Sequence, residues 1–416
     1  MSNLKYQSII TVSLTLLLLL ITLPAHATSK VMNGEQKLIE FHQSIAKTID
    51  AVATNNGQWF SYQVAMEPNN GMPCCLISDT ESSCSLDNRV NSQSYSMRQS
   101  DNSKRLNIYF KINDGTPSDL FLAGKNCNVK VGGNTVYKID NVAQKPSISF
   151  LNELIEGDTQ NTQISYSALA AIALHQGSDA HTVLESFANS ETKELKHDSI
   201  FWLGQARNNA GYESLLTIVD DDTKDNKVRG QAVFALSVNS HENASKKLVQ
   251  LAKHSANEAI QTKSVFWLAQ NHKSKAINVI DYILLNSDNN AVRKKTVLAL
   301  AQIRSKVSWQ RLVGLAQTAA DIEVQREAIF WLSQNEDENP RSILVALAKS
   351  KSPASVKKKA VFALSQLKPS QSTPALSELI ETATEASIKK EAFFWLGQSD
   401  DPKALDYLER VLTSNR

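Results

Sequence analysis

Apolar and polar positions repeat with a period of about 32 residues through the C-terminal part of the chain. The repeated block is Ala-Leu or Trp-Leu, then a small residue or His, then usually Gln; it begins at positions 173, 202, 235, 267, 299, 331, 363 and 395. Successive blocks are separated by 29, then 33, then 32 residues. A fixed period of this length indicates stacked supersecondary units. We therefore expect a repeat array over 161–416.

Each repeat has the spacing of two short helices. In the second helix of one repeat, apolar side chains lie at i, i+4, i+7 and i+8, namely Val324, Ala328, Trp331 and Leu332. This spacing places them on one face of a helix. The helix before the block has its own apolar stripe, and a polar link separates the two. Because neither helix buries its stripe alone, neighbouring pairs must stack into an α-solenoid.

The second helix also resembles a known family. The segment 292–302 opens with Val-Arg and ends with Ala-Leu-Ala-Gln, and the link 397–402 reads Gly-Gln-Ser-Asp-Asp-Pro. Both resemble the short HEAT-like repeat that is also found in phycobilisome lyases. The resemblance covers 161–416 and implies an α-solenoid of about eight HEAT-like helical repeats. Through the lyases, it also implies an enzymatic alternative, the attachment of a chromophore.

The first residue of the block alternates between Ala and Trp. We expect the four tryptophans to form the repeat core, since they lie on the apolar stripe: Trp202, Trp267, Trp331 and Trp395. The alternative is a line of aromatic side chains along a binding surface. The Gln that closes seven of the eight blocks is expected to hydrogen-bond to carbonyls and a neighbouring loop. Its alternative role is to grip an extended peptide.

Residues 28–160 lack the repeat. The spacing of apolar residues predicts a helix from Glu35 to Ala53, whereas short runs predict strands at 59–65, 106–112, 119–122 and 135–139. The pair Asp114-Gly115 predicts a tight hairpin turn. A further helix at 148–155 leads toward the array. We therefore predict a small α+β domain with antiparallel strands.

Residues 1–27 have the pattern of a cleavable signal peptide. Lys5 is followed by an apolar run from Ile9 to Leu23 and by Ala25-His26-Ala27 at the expected cleavage site. The run is shorter than the roughly 20 residues that span a bilayer, and an uncleaved anchor is the alternative. We therefore expect a periplasmic or secreted protein with no membrane span after cleavage.

All four cysteines, Cys74, Cys75, Cys84 and Cys127, fall within the predicted α+β domain. Of three possible pairings, the one that joins Cys74 to Cys75 requires a strained eight-membered ring. The other two join the adjacent pair to Cys84 and Cys127, and in an oxidising compartment they would brace the domain. A metal site or a redox pair is the alternative, although adjacent cysteines lack the C-x-x-C spacing.

Composition and motifs do not indicate catalysis. The chain of 416 residues is 42% hydrophobic and has a formal net charge of only +2, which argues against a disordered protein or a nucleic-acid partner. It has no Gly-rich phosphate loop, His-Glu-x-x-His or Gly-x-Ser-x-Gly motif. We predict no catalytic residue, cofactor or metal, and we expect His175 and His197 to be surface or capping residues.

Basic residues near the start of the second helices are the candidate partner-binding residues. They are Lys294, Lys295, Arg326, Lys358, Lys359 and Lys390. The alternative is that such residues pair with neighbouring loops, whereas a weakly basic face favours an acidic protein partner. The sequence therefore predicts an exported, non-enzymatic scaffold that binds a protein or peptide along its solenoid. An envelope signalling regulator and a lyase-like enzyme are the alternatives.

Overall fold

The computed structural model describes most of the chain, namely residues 31–53, 56–67, 83–86, 104–157, 162–190, 193–335 and 338–414. Within these ranges the strands are confined to the N-terminal region, and a long series of helices follows. The predicted fold class is confirmed, because the chain is a mainly helical repeat array preceded by a small α+β region. No helix in these ranges is long and apolar enough to cross a membrane.

In the residues that the structure describes, the α+β region has two sheets and one short helix, α1 (Ile45–Asp50). The strands are β1 (Val31–Met32), β2 (Glu35–Ile39), β3 (Gln58–Ala65), β4 (Ser83–Ser85), β5 (Arg105–Asn113), β6 (Thr116–Gly124), β7 (Asn128–Lys130) and β8 (Thr135–Ile139). The larger sheet has the order β2-β8-β3-β5-β6, and the smaller one has the order β1-β7-β4. Strands β3, β5 and β6 are antiparallel, but the other pairings are parallel. The predicted antiparallel strands are therefore present, but the parallel pairings were not predicted.

The predicted helix at 35–53 was wrong in its first part. Residues 35–39 form β2, which pairs in parallel with β8 along its whole length. Only α1 is helical, and it begins where the Ser44 hydroxyl accepts a hydrogen bond from the Lys47 backbone N–H. The backbone partner of β2 lies about 100 residues further along the chain, so the local apolar pattern carries no information about it.

The hairpin prediction is confirmed. The turn between β5 and β6 has positive φ at Asp114 (50°) and Gly115 (74°). A two-residue hairpin turn of this kind needs positive φ at both central residues, which Asp-Gly tolerates well. The two strands pair from Leu106 opposite Gly124 to Asn113 opposite Thr116, so both are longer than the sequence pattern predicted.

The larger sheet separates two hydrophobic cores. On one face, Phe110 stacks on Phe60, with 5.7 Å between ring centroids, and contacts Phe150 of the first array helix at 5.1 Å. On the other face, Cys84 and Cys127 are buried with residues of the smaller sheet. Cys74 and Cys75 lie outside the described residues, so the disulfide prediction stays a prediction.

The array consists of seventeen helices in the described ranges. They are α2 (Gln144–Glu156), α3 (Thr162–Leu174), α4 (Ser178–Asn189), α5 (Lys193–Ala206), α6 (Asn208–Asp220), α7 (Asn226–Val238), α8 (Ala244–His254), α9 (Glu258–Asn271), α10 (Lys273–Asn286), α11 (Asn290–Gln302), α12 (Lys306–Thr318), α13 (Ile322–Ser333), α14 (Arg341–Ala348), α15 (Ala354–Ser365), α16 (Pro369–Thr382), α17 (Ala386–Gly397) and α18 (Pro402–Ser414). Each odd-numbered helix packs against the even-numbered helix before it. Consecutive odd-numbered helices also contact one another closely, whereas consecutive even-numbered helices do so loosely. Neighbouring repeats are therefore held together mainly through their odd-numbered helices.

Polar caps fix where four of the odd-numbered helices begin. Asp225, Asn257, Asn289 and Asp321 recur every 32 residues, and the side chain of each accepts hydrogen bonds from the two backbone N–H groups two and three residues later. Such caps satisfy N–H groups that have no partner within the helix. Because the caps recur at the same spacing, α7, α9, α11 and α13 begin at equivalent positions of their repeats and turn equivalent faces to the same side of the array.

The α+β region and the array share one core. The hydrophobic cluster that fills the space under the larger sheet continues through α2 and α3 into the later helices. At the boundary, the Glu67 backbone N–H donates to the Leu174 carbonyl, and that of Gln176 donates to the Ala65 carbonyl, at 3.0 and 3.1 Å. The α+β region thus covers the N-terminal end of the array.

Candidate partner-binding face

One face of the odd-numbered helices from α5 to α17 remains open to solvent. We call the residue that precedes the repeated block in each of these seven helices the marker residue. The marker residues are Phe201, Phe234, Phe266, Leu298, Phe330, Phe362 and Phe394. All are half-buried except Phe394, which is 55% exposed. The residues three and four positions earlier lie on the same side of each helix. We call this surface the odd-helix face.

The aromatic side chains of this face contact one another from repeat to repeat. In its N-terminal part, the ring of Phe234 lies 5.9 Å from that of Phe201 and 4.3 Å from that of Trp267. Leu298 of α11 separates these rings from a second aromatic stretch. There, Phe362 lies 6.5 Å from Phe330 and 5.1 Å from Trp395. The face therefore has a nearly continuous apolar strip.

The sequence contains a signal for this strip, although the predicted site consists of basic residues only. Phe precedes six of the eight blocks, one residue before the position at which Ala and Trp alternate. An aromatic residue next to a core residue lies about 100° around the helix. The strip is therefore offset from the core stripe and remains accessible.

The four tryptophans do not share one environment. Trp202 is 2% exposed and belongs to the core. Trp267, Trp331 and Trp395 are only partly buried against that core. The indole N–H of Trp331 donates to the Glu327 carboxylate at 2.7 Å. The last three tryptophans thus join the core to the edge of the odd-helix face.

The glutamines border the same face, since each lies four residues after the marker position. Gln334, Gln366 and Gln398 are exposed. The amides of Gln334 and Gln366 donate to the hydroxyls of Ser333 and Ser365, at 3.2 and 3.1 Å. The two amides therefore donate to serine hydroxyls and not to loop carbonyls.

All six candidate partner-binding residues lie on the odd-helix face, and four of them make the following ion pairs. Lys294 of α11 pairs with Glu323 of α13 at 2.7 Å, and Lys358 of α15 pairs with Glu391 of α17 at 3.4 Å. Lys295 contacts Glu258 at 3.2 Å, and Arg326 contacts Glu323 at 2.7 Å. Lys390 is exposed. The structure thus places on one face cations that lie up to about 100 residues apart along the chain.

Lys359 is placed differently from the other five. Its ammonium lies 4.7 Å from the ring centroid of Phe330 and 4.4 Å from that of Phe362. Burial lowers the pKa of Lys359, as does the nearby Arg326 charge, whereas Glu327 opposes this shift. A cation over two ring faces is a favourable arrangement, and it fixes the Lys359 side chain against the aromatic strip.

Other basic residues of the same helices hold the array together. Arg229 donates to the Val219 carbonyl at 3.0 Å, and Arg293 pairs with Asp321 at 2.7 Å. The nearly buried Lys357 contacts the Glu385 carboxylate. These residues lie five positions before the marker residue, one position away from the cations of the odd-helix face. A shift of one position along the helix therefore distinguishes a cation that stabilises the array from one that a partner can reach.

A second polar cluster lies at the boundary between the α+β region and the array. Ser147 Oγ is 2.8 Å from His175 Nε2 and 2.9 Å from the Tyr62 hydroxyl, and His175 Nδ1 donates to the Ala171 carbonyl at 2.6 Å. His175 is fully buried, so it is not a surface residue, but its bond to the Ala171 carbonyl in the last turn of α3 agrees with the capping alternative. Desolvation lowers the pKa of His175 to about 4, and the charge of Arg207 also lowers it.

The same boundary contains a buried cation. Arg207 donates to the Glu67 carboxylate and to the Ile172 carbonyl, both at 3.2 Å. Desolvation lowers the pKa of Arg207 to about 10, while Glu67 opposes this shift. The Ser147–His175 pair resembles a nucleophile with its base, but Ser147 and His175 are both fully buried. We therefore interpret this polar cluster as a structural contact between the α+β region and the array.

No metal centre is formed by the described residues, in which no three His, Cys, Asp or Glu side chains converge. A groove of about 510 Å³ lies on the even-numbered layer between α14, α16 and α18. It is shallow and lined by charges of both signs, including Arg341, Glu378 and Asp406. Unlike the odd-helix face, this groove is not lined by a row of aromatic side chains.

Part of the chain is similar to known proteins. A family model described as HEAT repeats matches residues 245–333, 312–394 and 341–416. The structure of human deoxyhypusine hydroxylase in complex with glycerol is 15% identical, with a TM-score of 0.27, and the alignment covers 63% of this chain and 96% of that chain. The Escherichia coli protein YibA is 17% identical, with a TM-score of 0.34 and coverages of 62% and 93%. No curated protein matches this sequence.

Proposed function

We propose that this α-solenoid, with HEAT repeats in its C-terminal part, is a non-enzymatic scaffold that binds a protein or peptide along the odd-helix face. The observation that carries the proposal is the row of half-buried aromatic side chains from α5 to α17, with an exposed Phe394 in α17. A monomeric soluble protein rarely leaves a long apolar strip rimmed by charges without a use for it. Partly exposed aromatic anchors are typical of protein interfaces.

The layout of the array supports this proposal. Because each repeat contacts only its neighbours, a solenoid gives an extended and fairly rigid surface. Ring-to-ring contacts restrict the aromatic side chains before a partner arrives. Restriction of this kind lowers the entropic cost of binding. The α+β region would then serve to close the N-terminal end of the array.

A catalytic role is not part of the proposal. Ser147 and His175, which have the geometry of a nucleophile and a base, are buried where no substrate reaches them. The odd-helix face is lined by aromatic rings, amides and paired charges, which are groups suited to recognition.

Export is also part of the proposal, and it rests on the signal-like pattern of residues 1–27 and on the four cysteines of 74–127. Mass spectrometry of the native protein from its source cells tests it. We expect a mature N-terminus near Thr28 and two disulfides that join Cys74 and Cys75 to Cys84 and Cys127. An intact N-terminus together with reduced thiols would contradict export.

A photo-crosslinking experiment tests the binding face. A photoreactive phenylalanine analogue replaces Phe362 or Phe394 on the odd-helix face in the full-length protein, which is expressed in its source cells. The matched control carries the analogue at Leu285, an apolar side chain of the even-numbered helix α10 that is 84% exposed. We expect discrete adducts with another protein from both odd-helix positions and none from Leu285.

The outcomes separate binding from mere exposure. If Leu285 gives the same adducts in the same yield, the reaction reports accessibility, and the proposed face is wrong. If none of the three positions gives an adduct under conditions in which the analogue is incorporated and the protein is folded, the scaffold function is wrong.

A further inference from the structure

Charge is distributed unevenly along the odd-helix face. The ten positions three and four residues before the marker residues of α9, α11, α13, α15 and α17 hold seven basic side chains, two carboxylates and one Thr. The basic ones are Lys263, Lys294, Lys295, Arg326, Lys358, Lys359 and Lys390. The same positions of α5 and α7 hold His197, Asp198, Gly230 and Gln231. The aromatic strip is thus bordered by cations only from α9 onward.

We infer that the α9–α17 part of the odd-helix face binds an extended acidic peptide segment of another protein, with its carboxylates on the lysines and its apolar side chains on the aromatic strip. This inference rests on the proposed function and adds the chemical class of the partner. The whole chain has a formal net charge of only +2, so the cations of this surface are a local feature and not a consequence of composition.

The cations are arranged so that a partner's carboxylates can reach them. The side chains of Lys294 and Lys358 are 41% and 48% exposed, and each pairs with a carboxylate on the next odd-numbered helix. Exposed pairs of this kind are weak, so an incoming carboxylate shares or replaces the partner at little cost. Lys390 is also exposed, at the C-terminal end of the row.

The dimensions fit a short extended segment. Packed helices lie about 8–10 Å apart, so the four steps from α9 to α17 span about 40 Å. An extended chain advances about 3.3 Å per residue, so about 12 residues cover this part of the face.

Nucleic acid fits the same surface less well. Single-stranded nucleic acid binds to aromatic side chains by stacking its bases on exposed ring faces. Here Phe330 and Phe362 face each other at an interplanar angle of 17°, and Lys359 lies over both rings.

The test is a binding titration of the full-length protein by fluorescence anisotropy. The probe is a labelled 12-residue peptide of four Phe-Glu-Glu triplets. The comparison probes are the Phe-Gln-Gln and Phe-Lys-Lys versions and a 12-nucleotide single-stranded DNA. We expect the Glu peptide to bind at least about tenfold more tightly than the Gln peptide, and more weakly as salt screens the charges.

Variants locate the binding. The triple variant Lys294→Glu, Lys358→Glu and Lys390→Glu reverses three exposed charges of the odd-helix face. The control, Lys246→Glu, Lys273→Glu and Lys306→Glu, reverses three exposed lysines of the even-numbered helices α8, α10 and α12. Both variants change the net charge equally. We expect only the first to weaken the Glu peptide by about tenfold or more, with the Gln peptide unchanged.

Each other outcome overturns the inference. Equal affinities for the Glu and Gln peptides would mean that the face binds peptides without a preference for acidic ones. Tighter binding of the DNA would identify a nucleic-acid surface. Equal losses in both triple variants would mean a non-specific charge effect. No peptide binding, alongside photo-crosslinking at Phe362, would leave the proposed function intact and reject only the acidic partner.

Discussion

The α+β region and the repeat array use aromatic residues in opposite ways. In the α+β region, Phe60 and Phe110 are fully buried, and their rings meet inside a closed core between the larger sheet and α2. In the array, Phe330 and Phe362 also meet ring to ring, but on a face that is open to solvent. The same residue type therefore stabilises one region and leaves a usable surface on the other.

The difference comes from how each region closes. A sheet covered on both faces leaves little aromatic surface unburied. A solenoid buries only the side chains between its two layers and between neighbouring repeats, so one side of each layer stays open. Function in this protein is therefore expected on the open side of the array, where truncating an aromatic side chain should cost less stability than in the closed core of the α+β region.

Truncating one aromatic residue in each region makes the comparison quantitative. Phe110→Ala removes a fully buried ring and is expected to lower the free energy of unfolding by about 3–5 kcal/mol. Phe362→Ala removes a half-buried ring, and we expect a loss of about 1–2 kcal/mol. Urea unfolding followed by circular dichroism measures both values. Equal losses would show that the aromatic strip is as much a part of the core as the sheet.

The buried His175 predicts how stability at the boundary depends on pH. Its pKa is about 4 in the folded protein and 6.5 without burial, so the unfolded chain takes up a proton first as the pH falls. The contribution of neutral His175 is complete above about pH 6.5 and is lost toward pH 4, by roughly 3 kcal/mol.

Unfolding measured from pH 7 to pH 4 tests this prediction. His175→Gln is expected to reduce the fall in stability across that range. His42→Gln, at an exposed position, should leave the fall unchanged. A His175→Gln protein with the same pH dependence as the unmodified protein would contradict the role assigned to His175.

The ion pair at the boundary is expected to matter less than the buried rings. Glu67→Gln leaves the Arg207 charge, which is 2% exposed, without its carboxylate. We expect a loss of about 2 kcal/mol, below the value for a fully buried pair, because Glu67 is 28% exposed. Hydrogen exchange of the Glu67 and Gln176 amides measures the loosening. The double variant with Arg207→Met should recover part of the loss, and no recovery would argue against an unpaired charge as the cause.

The smallest stability effect is expected on the odd-helix face. A hydrogen bond from Lys294 lowers the pKa of Glu323, as does Arg326. Glu323→Gln breaks two exposed ion pairs, and the free energy of unfolding should change by less than about 1 kcal/mol. Affinity for the Phe-Glu-Glu peptide should rise about twofold to threefold, because two cations lose their internal partner. Weaker peptide binding in this variant would contradict the proposed orientation of the acidic segment.

The sequence was a good guide to the candidate face in one respect and a poor one in another. All six predicted basic residues lie on it, because a spacing of three or four residues before a fixed marker defines one side of a helix. The sequence did not separate Lys358, which is accessible, from Lys357, which is nearly buried against Glu385. That difference depends on where the next repeat places its carboxylates.

The sequence by itself determined the array, because helical spacing and stacking between neighbours are local properties that a 32-residue period repeats along the chain. Only the tertiary structure decided that residues 35–39 are a strand, that His175 is buried and that Trp267, Trp331 and Trp395 are partly exposed while Trp202 is not. In each case the deciding contact comes from another part of the chain. Burial and strand pairing are set by such distant partners, which a local pattern of apolar and polar residues does not encode.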